Sequence, residues 1–224
     1  MELVLVRHGQ PEWVHDGRNV DDPVLTDVGH RQAACAAEAL RAERFDRVLV
    51  SPLVRARQTA APIEAALGVH AEVADWLAEI RNPEWEGTDH DTERIFADAR
   101  MRPAEQLWDG LPGGESFRHF HDRVVAGLTG LLADVGVRSA TGALPLWTVE
   151  DPAKRLLVVA HAGTNSVILT HLLGVQPVPW EWERFVLHHG SISQAMPLAM
   201  AHGWSFSLLR LSDTRHLPAE LTTR

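Results

Sequence analysis

The chain has 224 residues, 45% hydrophobic and 23% charged, enough for one sizeable core and ordinary for a globular protein. Its net charge of -9 argues against a broad basic face for nucleic acid, although an acidic protein can still carry a cationic pocket. The single cysteine, Cys35, excludes an internal disulfide and a thiolate metal cluster, and the absence of tyrosine excludes any phenol chemistry.

Glu2 and Arg7 charge the start, and no apolar run approaches membrane-spanning length, so the chain reads as cytoplasmic with no membrane partner. Lys154, the only lysine, precedes a strand in a polar loop and is the one candidate for Schiff-base chemistry. No Walker-type glycine loop, H-E-x-x-H or G-x-S-x-G is present.

In chain order, Met1 to Val6 reads as a short buried strand of the kind covered on both faces. Thr26 caps a helix running to about Glu43. RVLVSP is a second strand, stopped by Pro52, and VRARQTAAPIEAAL a helix in which Pro62 marks a kink or restart. VHAEVADWL holds a third, weaker strand. Asn82 to Ser116 is irregular, with a short helical stretch at DTERIFADAR, and is expected to roof a pocket. ESFRHFHDRVVAGLTGLLADV is amphipathic, with Phe117, Phe120, Val124, Leu128 and Leu131 at helical spacing. Val137 to Ala153 reads as loop. RLLVVAHAG repeats the opening design, and TNSVILTHLLG is a helix closed by Gly174. SISQAMPL and WSFSLLRL are late strands, and the tail from Ser212 an appendage. The apolar PVPWEWERF at 177–185 suits either internal packing or a homodimer contact. The whole predicts one domain, residues 1–224. It is a three-layer α/β/α sandwich with a mostly parallel central sheet and a lid or insert at about 82–115.

In such a sheet, ligands collect beyond the carboxyl ends of the strands. Three predicted strands end in polar residues there. One delivers Arg7 and His8, one Ser51 and then Arg55, one His161 followed by Ala162 and Gly163. Two guanidiniums and two imidazoles suit a tetrahedral phosphate, because arginine forks bind its oxygens in pairs and keep their charge. Each group also has a plainer reading. A strand-end histidine is more often a hydrogen-bonded structural residue, and Arg55 on a helix is by default a solvated cation.

RHG, SPLVRARQTA, LAEIRNPEWEG, PGGES and VVAHAGT, in that order, resemble the histidine phosphatase superfamily, the phosphoglycerate mutase-like proteins, from Leu3 to about Leu211. The resemblance implies a nucleophilic His8 forming phosphohistidine, with Arg7, Arg55 and His161 around the phosphate. It implies Glu79 as proton donor, upstream of Trp85, Glu86 and Gly87. Glu79 is preferred to Glu84 for that role. Gln10, Arg18 and Ala162 fall at substrate-binding positions. Gln10 and Pro11 stand where many members have Glu or Gln and then Thr, and Val14 where many have Asn. His189, before Gly190 and Ser191, falls where members carry a polar turn. With Arg7, Arg55 and a protonated His161 supplying positive charge, neither metal nor cofactor is expected.

The reading is a phosphatase, a phosphoric monoester hydrolase acting on a small phosphorylated metabolite without metal. Two alternatives differ in class. A cofactor-dependent phosphoglycerate mutase-type phosphotransferase would need a longer, more basic lid than Arg94, Arg100 and Arg102 provide. A catalytically inactive binding module would have lost His8, Arg7 or His161.

Overall fold

The computed structural model describes residues 1–15, 18–83, 89–141 and 144–224, with side chains throughout these stretches except at 18–19 and 89–93. Chain order begins with β1 (Glu2–Arg7), the small hairpin β2 (Val14–His15) and β3 (Arg18–Asn19), and α1 (Asp27–Leu40). It continues with β4 (Arg47–Val50), α2 (Val54–Leu67), β5 (Glu72–Val73), α3 (Asp89–Arg100) and α4 (Phe117–Asp134). Then come β6 (Val137–Ser139), β7 (Trp147–Val149), β8 (Arg155–Ala160), α5 (Ala162–Leu172), α6 (Glu181–Arg184), β9 (Ile192–Met200) and β10 (Gly203–Asp213).

Eight strands form one sheet in the order β5-β4-β8-β1-β9-β10-β7-β6. The central strands are apolar throughout because side chains alternate between two cores. Leu3, Leu5, Leu156, Val158 and Leu49 face a core with α4 and α5. Val4, Val6, Leu157, Val159, Val48 and Val50 face the other, with α1 and α2. The expected sandwich is there, but "mostly parallel" needs correcting. β5, β4, β8 and β1 pair in parallel, whereas β9, β10, β7 and β6 join antiparallel.

The expected Thr26 cap is there, and Ser116 adds a second. Thr26 Oγ1 accepts the Gly29 N–H at 3.0 Å, and Ser116 Oγ accepts the His119 N–H at 3.1 Å, each starting its helix. Three expectations change. Pro62 does not restart α2, which runs through it from Val54 to Leu67. Val137 to Ala153 is not simply loop, since it supplies β6 and β7. The segment after Ser212 is no appendage: β10 runs to Asp213, Leu217 and Leu221 are buried, and the buried Gln32 amide donates to the Leu221 carbonyl at 2.6 Å. PVPWEWERF packs internally, with the Trp180 ring 4.6 Å from Phe117 and 5.3 Å from Trp182.

Candidate active site

Parallel register fixes where the chemistry lies. Arg7 stands opposite Ala160, and Val50 opposite Val159, so His8, Ser51 and His161 leave three neighbouring strands at one level. The His8 N–H bonds the Ala160 carbonyl at 2.9 Å, and the Ser51 N–H bonds the Val159 carbonyl at 3.0 Å. β4 and β8 run almost directly into α2 and α5, and β1 reaches α1 past the small hairpin, with α1 and α2 packed on one face of the sheet and α5 on the other.

Close backbone approach sets the turn after β1. A Cβ on Gly9 would lie 2.4 Å from the Gly29 carbonyl oxygen, and one on Gly29 would lie 2.2 Å from that of Gln10. The Gly9 N–H donates to Thr59 Oγ1 at 3.0 Å, and the Thr59 hydroxyl donates to the Arg55 carbonyl at 2.8 Å. The turn that follows His8 is therefore tied to the helical turn that carries Arg55.

His8 Nδ1 lies 2.7 Å from the Gly9 carbonyl oxygen. A carbonyl has no proton to give, so Nδ1 carries it and Nε2 keeps its lone pair. Burial, then the charges of Arg55, His161 and Arg7, hold this imidazole well below its ordinary pKa of 6.5. The His8 and His161 rings pack edge to face at 5.0 Å, and His161 Nε2 lies 2.7 Å from Ser51 Oγ. Burial, then the charges of Arg55 and Arg7, also depress the His161 pKa well below 6.5.

Arg7 donates through Nη1 to the Leu187 carbonyl and lies through Nη2 2.9 Å from His189 Nε2. Burial lowers its pKa to about 10, still fully charged at neutral pH. Arg55 is 2% exposed, with its guanidinium carbon 4.9 Å from the Trp13 ring centre and Nη1 3.4 Å from Asp22 Oδ1. Both Asp22 oxygens accept the Val54 N–H, at 2.9 and 3.1 Å, so Asp22 caps α2 where Leu53 cannot. Buried polar atoms are nearly always hydrogen-bonded, yet Arg7 Nε, Arg55 Nε and His161 Nδ1 have no partner among the described residues. The two unsatisfied guanidinium N–H donors are what an oxyanion beside His8 would satisfy.

Glu79 reaches the start of α5. Its Oε2 accepts the Gly163 N–H at 2.8 Å and its Oε1 the Ile80 N–H at 3.1 Å. Burial raises its pKa above the ordinary 4.5, against the pull of those N–H groups, Arg55 and Arg7. At ordinary values a carboxylic acid loses its proton before an imidazole does. The two shifts, His8 down and Glu79 up, move toward the order in which a neutral imidazole and a protonated acid coexist.

Other expected residues divide. The Gln10 side-chain oxygen accepts the Thr26 hydroxyl at 3.0 Å, tying this side chain back to the start of α1. Ala162 opens α5, and its carbonyl accepts the Ser166 hydroxyl at 2.6 Å. Arg18 lies in β3, its side chain outside the described atoms. Glu84, Trp85, Glu86 and Gly87 lie outside the described residues. Sequence reasoning missed Asp22, Gln32 and Thr59. A buried glutamine on the Ala-rich face of α1 is the signal that could have drawn attention to Gln32.

Comparison with known proteins adds three kinds of match. The family model for the histidine phosphatase superfamily (branch 1) matches residues 3–208. Phosphoserine phosphatase 1 of Hydrogenobacter thermophilus is 30% identical over 179 residues, 78% of this chain and 77% of that one. A probable phosphoglycerate mutase of Yersinia enterocolitica is 28% identical over 235 residues, 97% of this chain and 95% of that one. A bifunctional protein of Mycobacterium tuberculosis is 36% identical over 181 residues, 76% of this chain but 47% of its own, so the chain spans about half of that relative. A solved mycobacterial glucosyl-3-phosphoglycerate phosphatase superposes with a TM-score of 0.68 at 26% identity, covering 94% of this chain and 98% of its own. The chain belongs to the histidine phosphatase superfamily, branch 1, and is a phosphatase of that group.

Proposed function

We propose that the protein is a metal-independent phosphomonoesterase that hydrolyses a small phosphorylated metabolite through a phosphohistidine on His8. The observation that carries this reading is the His8 Nδ1 contact to the Gly9 carbonyl, which leaves Nε2 as a lone-pair donor beside Arg7, Arg55 and His161.

Nε2 of His8 attacks phosphorus in line with the ester oxygen, whose bond to phosphorus breaks. Arg7 and Arg55 hold the equatorial oxygens, and His161 joins them by a hydrogen bond. Protonated Glu79 gives its proton to the departing alkoxide, a step typically worth about 10²–10⁴-fold. Glu79, now a carboxylate, takes a proton from water. The resulting hydroxide attacks phosphorus, the P–N bond breaks, and inorganic phosphate leaves with His8 neutral again. Fixed guanidiniums supply the positive charge that a metal would otherwise bring.

Hydrolysis is favoured over the mutase reading by the segment between Asn82 and Pro112. Arg100 pairs with Glu183 at 3.2 Å and Arg102 donates to the Gly110 carbonyl at 2.9 Å, so both are engaged by the protein itself. A phosphate-release assay in the presence of a chelator tests the reading. Its panel would hold phosphoserine, glucosyl-3-phosphoglycerate and other small esters, alongside conversion of 3-phosphoglycerate to 2-phosphoglycerate. Phosphate release undiminished by chelator is expected. Isomerisation without release would overturn the hydrolase reading, and loss of activity on chelation the metal-free one. His8→Ala should fold normally and lose about 10⁴-fold or more in kcat. An unchanged kcat would remove His8 as nucleophile and restore the inactive-module alternative for this pocket.

A further inference from the structure

We infer that His189 is a positioning residue whose Nε2 accepts a hydrogen bond from Arg7 and so fixes the guanidinium beside His8, and that Thr223 and Gln32 hold the imidazole in the tautomer this requires. The inference rests on the reading of Arg7 as a phosphate ligand, gives a role to the polar turn that opens with His189, and adds Thr223 and Gln32, which no motif of the chain marks.

Hydrogen-bond geometry allows one assignment. Arg7 Nη2 is 2.9 Å from His189 Nε2, and a guanidinium can only donate, so Nε2 must hold a lone pair. The ring proton then sits on Nδ1, which lies 3.0 Å from Thr223 Oγ1. That hydroxyl oxygen also receives the Gln32 Nε2–H at 2.9 Å. The Gln32 amide is itself fixed in orientation: its oxygen accepts the Gln10 N–H at 2.7 Å, and its nitrogen faces the Leu221 carbonyl at 2.6 Å. Gln32 is fully buried and His189 is 4% exposed, so few waters compete for these groups.

The backbone holds the chain of bonds at its spacing. The His189 N–H donates to the Thr223 carbonyl at 3.0 Å, and the Gly190 N–H lies 3.1 Å from the carbonyls of both Arg7 and His8. Gly190 takes φ 67°, a left-handed conformation that side-chain-bearing residues rarely adopt. Arg7 Nη1 donates to the Leu187 carbonyl two residues earlier. One short segment, residues 187–190, thus holds Arg7 by its two terminal guanidinium nitrogens and by its own carbonyl. Burial, followed by the Arg7 charge, lowers the His189 pKa well below 6.5 and keeps the ring in the neutral form that can accept.

Physical consequences follow from the tautomer. With the proton on Nε2, ring N–H and guanidinium N–H would point at each other, and Arg7 would keep the Leu187 carbonyl but lose the partner that holds Nη2. A shift of about 1 Å in such a clamp can cost 10²-fold. The tail that carries Thr223 is in this way part of the phosphate site without touching phosphate.

The test is a double-mutant cycle read by steady-state kinetics and by calorimetric binding of inorganic phosphate. His189→Leu should weaken phosphate binding and raise KM, together lowering kcat/KM about 10- to 100-fold. His189→Gln, which keeps an acceptor at that reach, should recover most of the loss. Thr223→Val should move the same parameters in the same direction, Thr223→Ser should restore them, and Thr223→Val should add little to His189→Leu. Independent, multiplying effects would overturn the inference, as would a His189→Leu enzyme that binds phosphate like the wild type. If His189→Leu does not fold, the Thr223→Val and Thr223→Ser pair decides alone, with unchanged phosphate binding in both as the refuting result. Failure of the underlying reading looks different, because it shows as turnover in His8→Ala.

Discussion

The two halves of the sheet do different work. In β5, β4, β8 and β1 the strands run parallel, helices cover both faces, and the polar ends gather His8, Ser51 and His161. In β9, β10, β7 and β6 they run antiparallel, and Met196, Leu198 and Met200 leave one face of β9 exposed. Chemistry sits where strand ends are locked by a common register. The antiparallel half contributes mainly core, with the exception of its connection to the site through residues 187–191.

That contrast can be broken by substitutions on either side of it. The largest change in rate among these is expected from Glu79→Gln, which keeps the shape and loses the acid. It should lower kcat by about 10²–10⁴-fold in a phosphate-release assay. It should also change the pH profile. In the wild type kcat/KM should rise as His8 loses its proton, below 6.5, and fall as Glu79 loses its own, above 4.5. Glu79→Gln should abolish the fall on the alkaline side, and a profile unchanged by it would dismiss Glu79 as the acid.

In the antiparallel half, Trp147→Ala is expected to destabilise by about 3–5 kcal/mol in denaturant melts, because the buried ring packs on His171 and Phe206 and its Nε1 donates to the Leu172 carbonyl at 3.2 Å. Folded enzyme should keep kcat/KM within about 2-fold, since nothing in that packing reaches His8; a rate loss as large as the stability loss would erase the distinction between halves. Gly163→Ala lies on the catalytic side. The new Cβ would stand 2.5 Å from Glu79 Oε1 and displace it, for an expected loss of about 10-fold in kcat with KM little changed. Leu198→Thr should be nearly silent in both assays, within about 0.5 kcal/mol, because its side chain is 50% exposed.

The same contrast explains what could be read from the chain. Continuous runs such as LVLV and RLLVV announce strands buried on both faces, and their polar ends announced His8 and His161. β6 and β7 are three residues each, too short for a period of two to show, and Gly142 and Pro145 between them read as loop. Pro62 looked like a break, because its cost to a helix is visible in sequence and the tertiary packing that offsets it is not. Asp22 and Thr223 act across 32 and 34 residues of sequence, on Val54 and His189, and no local pattern marks a partner at such distance.

Rapid-quench trapping of the enzyme during turnover of a radiolabelled phosphate ester tests the central claim most directly. The account predicts acid-labile, alkali-stable label on the peptide containing His8, formed at the rate of the first step and absent from His8→Ala. Single turnover without any such label, or label on His161 or Glu79 instead, would contradict it.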